Sequence, residues 1–137
     1  MKSYTILLLT IVIFLLSGCS SKGNSTTPDN VSDAPEYLTI TSDEAKKMMD
    51  DSTDIIILDV RTVDEYNEGH IKDAILLQDA DILDKAEIVL TDKASTILVY
   101  CRSGRRSAQA AEDLASLGYT NIYDFGGIID WEYDIVK

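Results

Sequence analysis

Histidine and cysteine are scarce in this sequence of 137 residues: His70 is the single histidine, and Cys19 and Cys101 are the two cysteines. A structural zinc or iron site needs several such ligands at short spacings, so we expect no metal and no other cofactor. Basic residues are also few. Twelve lysines and arginines stand against 24 aspartates and glutamates, which gives a formal net charge of −12. A surface of that sign repels phosphate backbones, which excludes nucleic acid as a partner of the surface as a whole.

The one long apolar run of the sequence lies near its N-terminus. Lys2 precedes a stretch from Ile6 to Leu16 that only Thr10 interrupts, and Ser17-Gly18-Cys19 follows it. A positive start, an apolar core of this length and small residues at its end are typical of a secretory signal rather than a spanning helix. The cysteine after Ser-Gly resembles a bacterial lipobox, which predicts a lipoprotein signal peptide over residues 1–18 and a diacylglyceryl group on Cys19. The alternative is an ordinary signal peptide, or an uncleaved anchor, that contains a cysteine by chance.

Either signal would export the rest of the chain. The lipobox predicts that Cys19 anchors it by lipid to the cell membrane, on the extracytoplasmic face of a bacterial envelope. Residues 19–35 are mainly Ser, Thr, Asn, Asp, Gly and Pro, so we predict a flexible linker behind lipidated Cys19. Residues 36–137 then form one domain with a single core. Because Cys101 would be the only remaining thiol, an intramolecular disulfide is excluded and a reactive cysteine is indicated.

The second informative segment surrounds Cys101. Thr96 to Tyr100 is an apolar run typical of a buried strand, and Ser107 to Leu117 has the spacing of a helix. Between them the sequence reads Cys101-Arg102-Ser103-Gly104-Arg105-Arg106-Ser107. A thiolate at the end of that strand would face the free N–H groups of the helix, which favour negative charge and lower the pKa of a thiol. The segment predicts a nucleophile, Cys101, at the base of an anion cradle; the alternative is a buried structural cysteine beside a basic turn.

Strand and helix patterns alternate along the rest of the domain. Strands are predicted at Tyr37–Ile40, Ile55–Leu58, Ala74–Leu76, Thr96–Tyr100 and Asn121–Phe125. Helices are predicted after a capping box at Thr41–Glu44, over Val63–Glu68, over Asp79–Val89 with Ile82, Leu83, Ala86 and Leu90 on one face, and over Ser107–Leu117 with Ala108, Ala111, Leu114 and Ala115 on one face. This alternation predicts an α/β fold with a mainly parallel central sheet and helices on both faces. Ligands of such folds bind beyond the C-terminal ends of the strands, where Cys101 lies.

Three separated motifs, in this order and spacing, resemble the rhodanese family. They are Leu58-Asp59-Val60-Arg61 with Glu65-Tyr66 and Gly69-His70-Ile71, the segment Cys101–Ser107, and Gly126-Gly127 with Trp131. The resemblance extends over about residues 37–133 and implies a single rhodanese-like domain. It also implies a sulfurtransferase: the cysteine attacks a sulfur-donor anion such as thiosulfate, carries the sulfur as a persulfide, and gives it to a thiol or to cyanide.

Each residue of the loop has a predicted role in this chemistry. The candidate substrate-binding residues are Arg102, Ser103, Gly104, Arg105, Arg106 and Ser107. Their backbone N–H groups would surround the sulfur in a turn that Gly104 closes. Arg106 is predicted to face inward as a charge partner, while Arg102 and Arg105 point outward and either attract anionic donors or form a solvated basic rim. Ser103 and Ser107 either donate to the bound sulfur or cap the helix, and capping is the role predicted for Ser107.

Residues outside the loop are predicted to support it rather than to react. Asp59, Arg61 and Glu65 would do so through an Asp59–Arg61 or an Arg61–Glu65 pair. His70 is predicted to be a turn residue that bonds the backbone, and Trp131 to lie in the core or in a pocket wall. Members of the family commonly continue past the tryptophan with a Gly-aromatic-Pro segment. This chain continues with Glu132-Tyr133-Asp134, so the family's acceptor specificity is not transferred to it.

Two other functions are left open. Four residues separate Cys101 from Arg106. Related phosphatase domains have one more, because a phosphoryl group needs a larger ring of donors, so the spacing favours sulfur over a phosphate or arsenate enzyme. The other alternative is a non-catalytic rhodanese-fold module that binds or senses a partner at the envelope, which the retained cysteine disfavours. No pattern indicates the oligomeric state.

Overall fold

In the computed structural model of the protein, which describes residues 36–137, five parallel strands form one sheet. The strands are β1 (Leu38–Thr39), β2 (Ile55–Asp59), β3 (Ile75–Leu76), β4 (Thr96–Cys101) and β5 (Asn121–Gly127), in the spatial order β1-β5-β4-β2-β3. The helices are α1 (Ser42–Asp51), α2 (Val63–Glu68), α3 (Ile82–Val89) and α4 (Arg105–Ser116), with 3₁₀ turns at Asp79–Asp81 and Ile128–Asp130. The predicted α/β fold with a parallel sheet is confirmed.

The central strand β4 separates two apolar cores. Side chains alternate between the faces of a strand, so Ile97 and Val99 join the core under α3 and α4, whereas Leu98 and Tyr100 join the core under α1. Cys101 continues the first series and belongs to the core on the α4 side. Helices therefore cover both faces, and the alternation of β4 directs the only thiol of residues 36–137 toward the helix that follows it.

The first two helices begin with the same capping arrangement. Thr41 before α1 and Thr62 before α2 each accept a hydrogen bond from the backbone N–H three residues on, and a glutamate at that position bonds back to the threonine. The glutamates are Glu44 and Glu65, and both arrangements are complete capping boxes, which satisfy the free N–H groups of a first turn. The box at Thr41 is confirmed, and the box at Thr62 was not predicted.

Two predicted helix faces are partly wrong. A 3₁₀ turn occupies Asp79–Asp81, so α3 begins only at Ile82 and turns Ile82, Ala86 and Leu90 inward, while Leu83 is 58% exposed. Leu83 lies about 100° around the helix from Ile82, which carries it past the edge of the core. In α4 the buried residues are Ser107, Ala110, Ala111 and Leu114. Ala115 is half-buried and packs against this core as predicted, whereas Ala108 is half-buried at the margin of this face.

The predicted signal peptide over residues 1–18, lipidated Cys19 and the linker over residues 19–35 lie outside the described residues. Within residues 36–137, no helix has the length and apolar character needed to cross a membrane.

Candidate active site

The loop that begins at Cys101 lies at the C-terminal edge of the sheet. Cys101 is the last residue of β4, residues 102–104 form the turn, and α4 starts at Arg105. The Cys101 side chain is 1% exposed, whereas Arg102, Ser103 and Arg105 are exposed around it. The sulfur therefore lies on the floor of a short turn whose outer surface faces solvent.

Backbone N–H groups converge on the Cys101 sulfur. The Gly104 N–H donates to Sγ over 3.1 Å, and Gly104 has a φ of 95°, a conformation that glycine adopts without the strain of a Cβ. Burial raises the pKa of the Cys101 thiol, but donation from the Ser107 hydroxyl and from the backbone N–H groups of Ser107, Ser103 and Gly104 outweighs burial. The net result is a lowered thiol pKa, as expected of a sulfur surrounded by donors.

Ser107 is fully buried beneath this turn and does not cap the helix. Its hydroxyl lies 3.0 Å from the Gly104 carbonyl oxygen and 3.2 Å from the Gly126 carbonyl oxygen. The N-cap position of α4 belongs to Gly104, so the helix starts two residues earlier than predicted and Ser107 falls inside its first turn. The capping role predicted for Ser107 is therefore wrong. The single proton of the hydroxyl is directed to these carbonyl oxygens, and it reaches the sulfur when the hydroxyl rotates toward a thiolate, the interaction that lowers the Cys101 pKa and that was the alternative role.

The end of β5 supports the turn from behind. A Cβ added to Gly127 would lie 2.4 Å from the Arg102 carbonyl oxygen and 2.6 Å from the Ser103 Cα, distances that real Cβ atoms do not reach. The backbone N–H of Ile129, just beyond β5, donates to the Arg102 carbonyl oxygen over 3.2 Å. Only glycine at position 127 allows the two backbones to pack this closely.

Arg106 faces α2 and is bound there by Glu65. Its two terminal nitrogens donate to the two carboxylate oxygens of Glu65, each over 2.8 Å, and both side chains are about one-fifth exposed. The hydrogen bonds from Arg106, helped by those from Thr62, lower the pKa of Glu65 to about 2 although burial opposes the shift. The predicted inward orientation of Arg106 is present, but the positive charge of Arg106 is compensated by a carboxylate.

Arg102 and Arg105 lack such compensation. Within residues 36–137, ion pairs engage Lys46, Lys47, Arg61, Lys85, Lys93 and Arg106. Arg102 and Arg105 have no carboxylate within 4.0 Å among these residues, and both are exposed. The mouth of the turn is therefore positively charged in a strongly acidic chain, which favours the approach of anions.

Asp59 and Arg61 form the predicted pair, which lies against Tyr100, the residue before Cys101 in β4. Both are buried at the end of β2, and Arg61 donates to Asp59 from its backbone N–H over 2.9 Å, from Nε over 3.0 Å and from Nη2 over 2.6 Å. Arg61 Nη2 also donates to the Gly69 carbonyl oxygen over 2.8 Å. The pair holds the end of α2 to β2. The alternative Arg61–Glu65 pair is not formed, because Arg61 is occupied by Asp59 and Glu65 by Arg106.

His70 and Trp131 have the structural positions predicted for them. His70 Nδ1 lies 3.0 Å from the Tyr66 carbonyl oxygen, the His70 ring stacks on the Tyr66 ring, and its backbone pairs with Val136. Trp131 packs against Phe125 and lines a groove of about 640 Å³ beside α1. No residue of the Cys101 turn lines that groove, so the groove that Trp131 lines is separate from the turn.

Comparison with known proteins agrees with this geometry. Residues 41–134 match the model of the Rhodanese-like domain family. The chain is 36% identical over 80 residues to thiosulfate sulfurtransferase PspE of Escherichia coli, covering 58% of this chain and 77% of that protein. It is 34% identical over 93 residues to a sulfurtransferase of Allochromatium vinosum, covering 67% and 85%.

Solved structures show the same likeness. A rhodanese with anions from E. coli superposes with a TM-score of 0.57 at 34% identity, over 61% of this chain and 98% of that one. A rhodanese-like domain protein of Staphylococcus aureus superposes with a TM-score of 0.63 at 31% identity, over 72% and 94%. The matched region contains the strand, turn and helix around Cys101. The chain belongs to the rhodanese-like family, whose members in these comparisons include sulfurtransferases.

Proposed function

We propose that the protein is a membrane-anchored sulfurtransferase that moves sulfane sulfur from an anionic donor to a thiophilic acceptor through a persulfide on Cys101. The observation that carries this proposal is the donor set around one sulfur: the Gly104 N–H at 3.1 Å, with Ser103 and Ser107 adding to it. Such a set stabilises a thiolate and an anionic persulfide alike, because both put negative charge where the N–H groups point.

The chemistry balances without a cofactor. The Cys101 thiolate attacks the outer sulfur of thiosulfate, a new S–S bond forms, and the original S–S bond breaks with its electron pair leaving on sulfite. An acceptor, either cyanide or a thiolate, then attacks the outer sulfur of the persulfide and takes it. The Cys101 thiolate leaves with the electron pair and is regenerated. Because Cys101 is 1% exposed, a small or slender acceptor fits this second step.

The donor is assigned by charge and by relatives. Arg102 and Arg105 place two uncompensated cations at the mouth of the turn, which suits a small dianion. Proteins similar to this chain in E. coli and in Coxiella burnetii are thiosulfate sulfurtransferases. Both observations support thiosulfate as the donor to test first.

The test measures sulfur on the enzyme and turnover separately. The purified mature protein is incubated with thiosulfate, its mass is recorded, and thiocyanate is measured after cyanide is added. We expect a gain of about 32 Da for one sulfur atom, cyanide-dependent thiocyanate, and loss of both in Cys101→Ser. No adduct and no turnover with several donors would contradict the proposal. An adduct without turnover, or partner binding that survives Cys101→Ser, would instead support a binding or sensing module.

The membrane anchor is proposed from the sequence around Cys19. We expect the mature protein to partition with membranes and to carry a lipid mass on its first residue. Cys19→Ser should abolish both, while Cys101→Ser, which removes the other cysteine, should leave partitioning unchanged. A wild-type protein found free of membranes, or without added lipid mass, would contradict the anchor without affecting the proposed sulfur transfer.

A further inference from the structure

The two capping boxes of the domain have closely similar sequences but different surroundings. The first reads Thr41-Ser42-Asp43-Glu44, and the second reads Thr62-Val63-Asp64-Glu65. In the first, the backbone N–H of Thr41 donates to Glu44 over 2.8 Å. In the second, that of Thr62 donates to Glu65 over 3.1 Å. Each glutamate therefore completes the capping box at the start of a short helix.

Glu65 makes an additional contact that Glu44 does not make. Among residues 36–137, Glu44 bonds only to Thr41, whereas Glu65 also accepts hydrogen bonds from both terminal nitrogens of Arg106 at 2.8 Å. Two parallel hydrogen bonds between a guanidinium and a carboxylate fix the relative orientation of the two groups as well as their separation. The second capping box thereby joins the start of α2 to the start of α4.

Arg106 occupies a position in α4 from which this connection acts on the sulfur. It is the second residue of the helix, between Gly104, whose N–H donates to the Cys101 sulfur over 3.1 Å, and Ser107, whose N–H helps to lower the Cys101 pKa. Holding the Arg106 side chain toward α2 restrains the backbone on both sides of it. The Glu65 carboxylate also compensates the Arg106 charge, which would otherwise be a half-buried unpaired cation beside the turn.

We propose that Glu65 is a positioning residue of the active site: through Arg106 it holds the first turn of α4 so that its N–H groups point at the Cys101 sulfur. This inference rests on the proposed function for its catalytic meaning. The positioning itself is tested through the reactivity of the Cys101 thiol, which is measured without any sulfur donor. Arg106 is accordingly a part of the scaffold of the turn, and donor binding is left to Arg102 and Arg105.

The test compares Glu65→Gln with Glu44→Gln in the mature protein. Glutamine keeps an amide oxygen that can accept from the threonine, so both variants retain much of the cap, and only Glu65→Gln loses the bidentate pair. The probe is iodoacetamide, a neutral reagent, with its rate of reaction with Cys101 followed across pH. We expect Glu65→Gln to react about tenfold more slowly near neutral pH, from the loss of about 1.4 kcal/mol of charged hydrogen bonding, and its pH midpoint to rise. Glu44→Gln should match the wild type.

A double-mutant cycle with Arg106→Gln separates positioning from general destabilisation. If Glu65 acts through Arg106, adding Glu65→Gln to Arg106→Gln slows alkylation no further. Three outcomes would each overturn the inference. Glu44→Gln could slow alkylation as much as Glu65→Gln does, or the losses could add in the double variant. The third is a fall in the pH midpoint of alkylation in Glu65→Gln, because Arg106 is left uncompensated beside the thiolate. Should Glu65→Gln fail to fold, Arg106→Gln against Glu44→Gln makes the same comparison from the other side of the pair. Absence of thiocyanate formation in the wild type would contradict the proposed function and leave this result unaffected.

Discussion

At the scale of single residues, the reactivity of Cys101 is decided by two opposing effects. Burial disfavours a charged sulfur, and a thiol buried among apolar groups has a raised pKa. The donors of Gly104, Ser103 and Ser107 act in the other direction and are stronger, so the pKa of Cys101 is lowered. Most of these donors are backbone groups, which a side-chain mutation does not remove. The Ser107 hydroxyl is the one side-chain donor, and a mutation to alanine removes it.

Ser107→Ala should raise the pKa of Cys101 and slow its alkylation several-fold near neutral pH. The variant removes the Ser107 hydroxyl, which lowers the pKa of Cys101 by turning from the carbonyl oxygens toward a thiolate, and leaves the burial of Cys101 and the backbone donors in place. Because the hydroxyl exchanges a carbonyl acceptor for the thiolate, the net loss is about 1 kcal/mol, which corresponds to a several-fold slowing. The measurement is the rate of iodoacetamide labelling as a function of pH.

Ser116→Ala is the matched control for Ser107→Ala. Ser116 is in the same helix, and its hydroxyl also donates to a backbone carbonyl, that of Asp113, over 2.6 Å. It is exposed and lies at the opposite end of α4 from Cys101. We expect wild-type labelling in Ser116→Ala. An unchanged pH midpoint in Ser107→Ala would mean that the backbone N–H groups alone determine the state of the sulfur.

At the scale of elements, the site is formed where β4, α4 and the end of β5 meet. The turn between β4 and α4 supplies the sulfur and the N–H groups, and β5 contributes a surface with no side chain at Gly127. The turn therefore has its shape only if its backbone can lie against β5. This dependence predicts that a single methyl group on β5 is enough to move the donors off the sulfur.

Gly127→Ala should reduce the reactivity of Cys101 more than about tenfold. Its Cβ would overlap the backbone at Arg102 and Ser103, which cannot rotate away as a side chain can, and overpacking of this kind typically costs 1–3 kcal/mol. Labelling rate and thermal unfolding are measured together. Gly118→Ala, at the far end of α4, costs stability but meets only the Lys93 side chain within 4 Å. Equal labelling rates in the two variants would contradict a role of Gly127 in shaping the turn.

The elements themselves were predictable from the sequence where the signal is local. The buried run of β4 and the capping box at Thr41 were found because hydrophobic runs and capping patterns depend on neighbours in the chain. Leu83 was misplaced because it lies about 100° around α3 from Ile82, past the edge of the buried face. The start of α4 was misplaced because a glycine in a left-handed conformation, rather than a serine, holds the N-cap.

Partners that are distant in the chain were not predictable in the same way. Glu65 and Arg106 are 41 residues apart, and nothing in the spacing distinguishes that pair from Arg61 with Glu65. Burial decides which pair forms. Asp59 and Arg61 are buried together at the end of β2, so Glu65 pairs with Arg106 of α4 instead. Tertiary placement therefore decided which of several plausible charge pairs formed.

At the scale of the whole molecule, the Glu65–Arg106 pair connects the active site to stability in acid. The pKa of Glu65 is about 2 in the fold against an ordinary value of 4.5, so the unfolded chain binds a proton at Glu65 over a pH range where the folded chain does not. The pair therefore stabilises the fold fully above about pH 4.5, and this contribution is lost as the pH falls toward 2.

Arg106→Gln should unfold more easily than the wild type at about pH 6, and the difference should shrink as the pH falls to about 2.5. The difference in the free energy of unfolding is at most about 3 kcal/mol, the equivalent of the pKa shift. Urea unfolding at each pH measures it. Lys85→Gln removes the same charge from the more exposed Lys85–Asp81 pair and should cost well under about 1 kcal/mol at either pH. A gap between Arg106→Gln and the wild type that is constant with pH would contradict this linkage.

The charge of the whole molecule also bears on how a donor reaches Cys101. The chain repels anions on average, yet Arg102 and Arg105 are exposed at the mouth of the turn and have no ion pair with any residue from 36 to 137, so the local potential and the net charge have opposite signs. Lys72 is another cation with no ion pair among residues 36–137, and it lines the groove beside α1 instead. Comparing Lys72 with Arg102 and Arg105 separates the effect of local charge at the turn from the effect of the net charge of the protein.

Arg102→Gln and Arg105→Gln should each raise the KM for thiosulfate several-fold, and the double variant about tenfold or more, with smaller effects on kcat. The increase should be largest at low ionic strength, because salt screens exposed charges over about 10 Å at 0.1 M. Lys72→Gln makes the same change in net charge at a distance from the turn and should leave KM unchanged. If Lys72→Gln raised KM as much as Arg102→Gln, the net charge of the protein would govern donor capture. If none of the three variants changed KM, anion binding would depend on the backbone N–H groups alone.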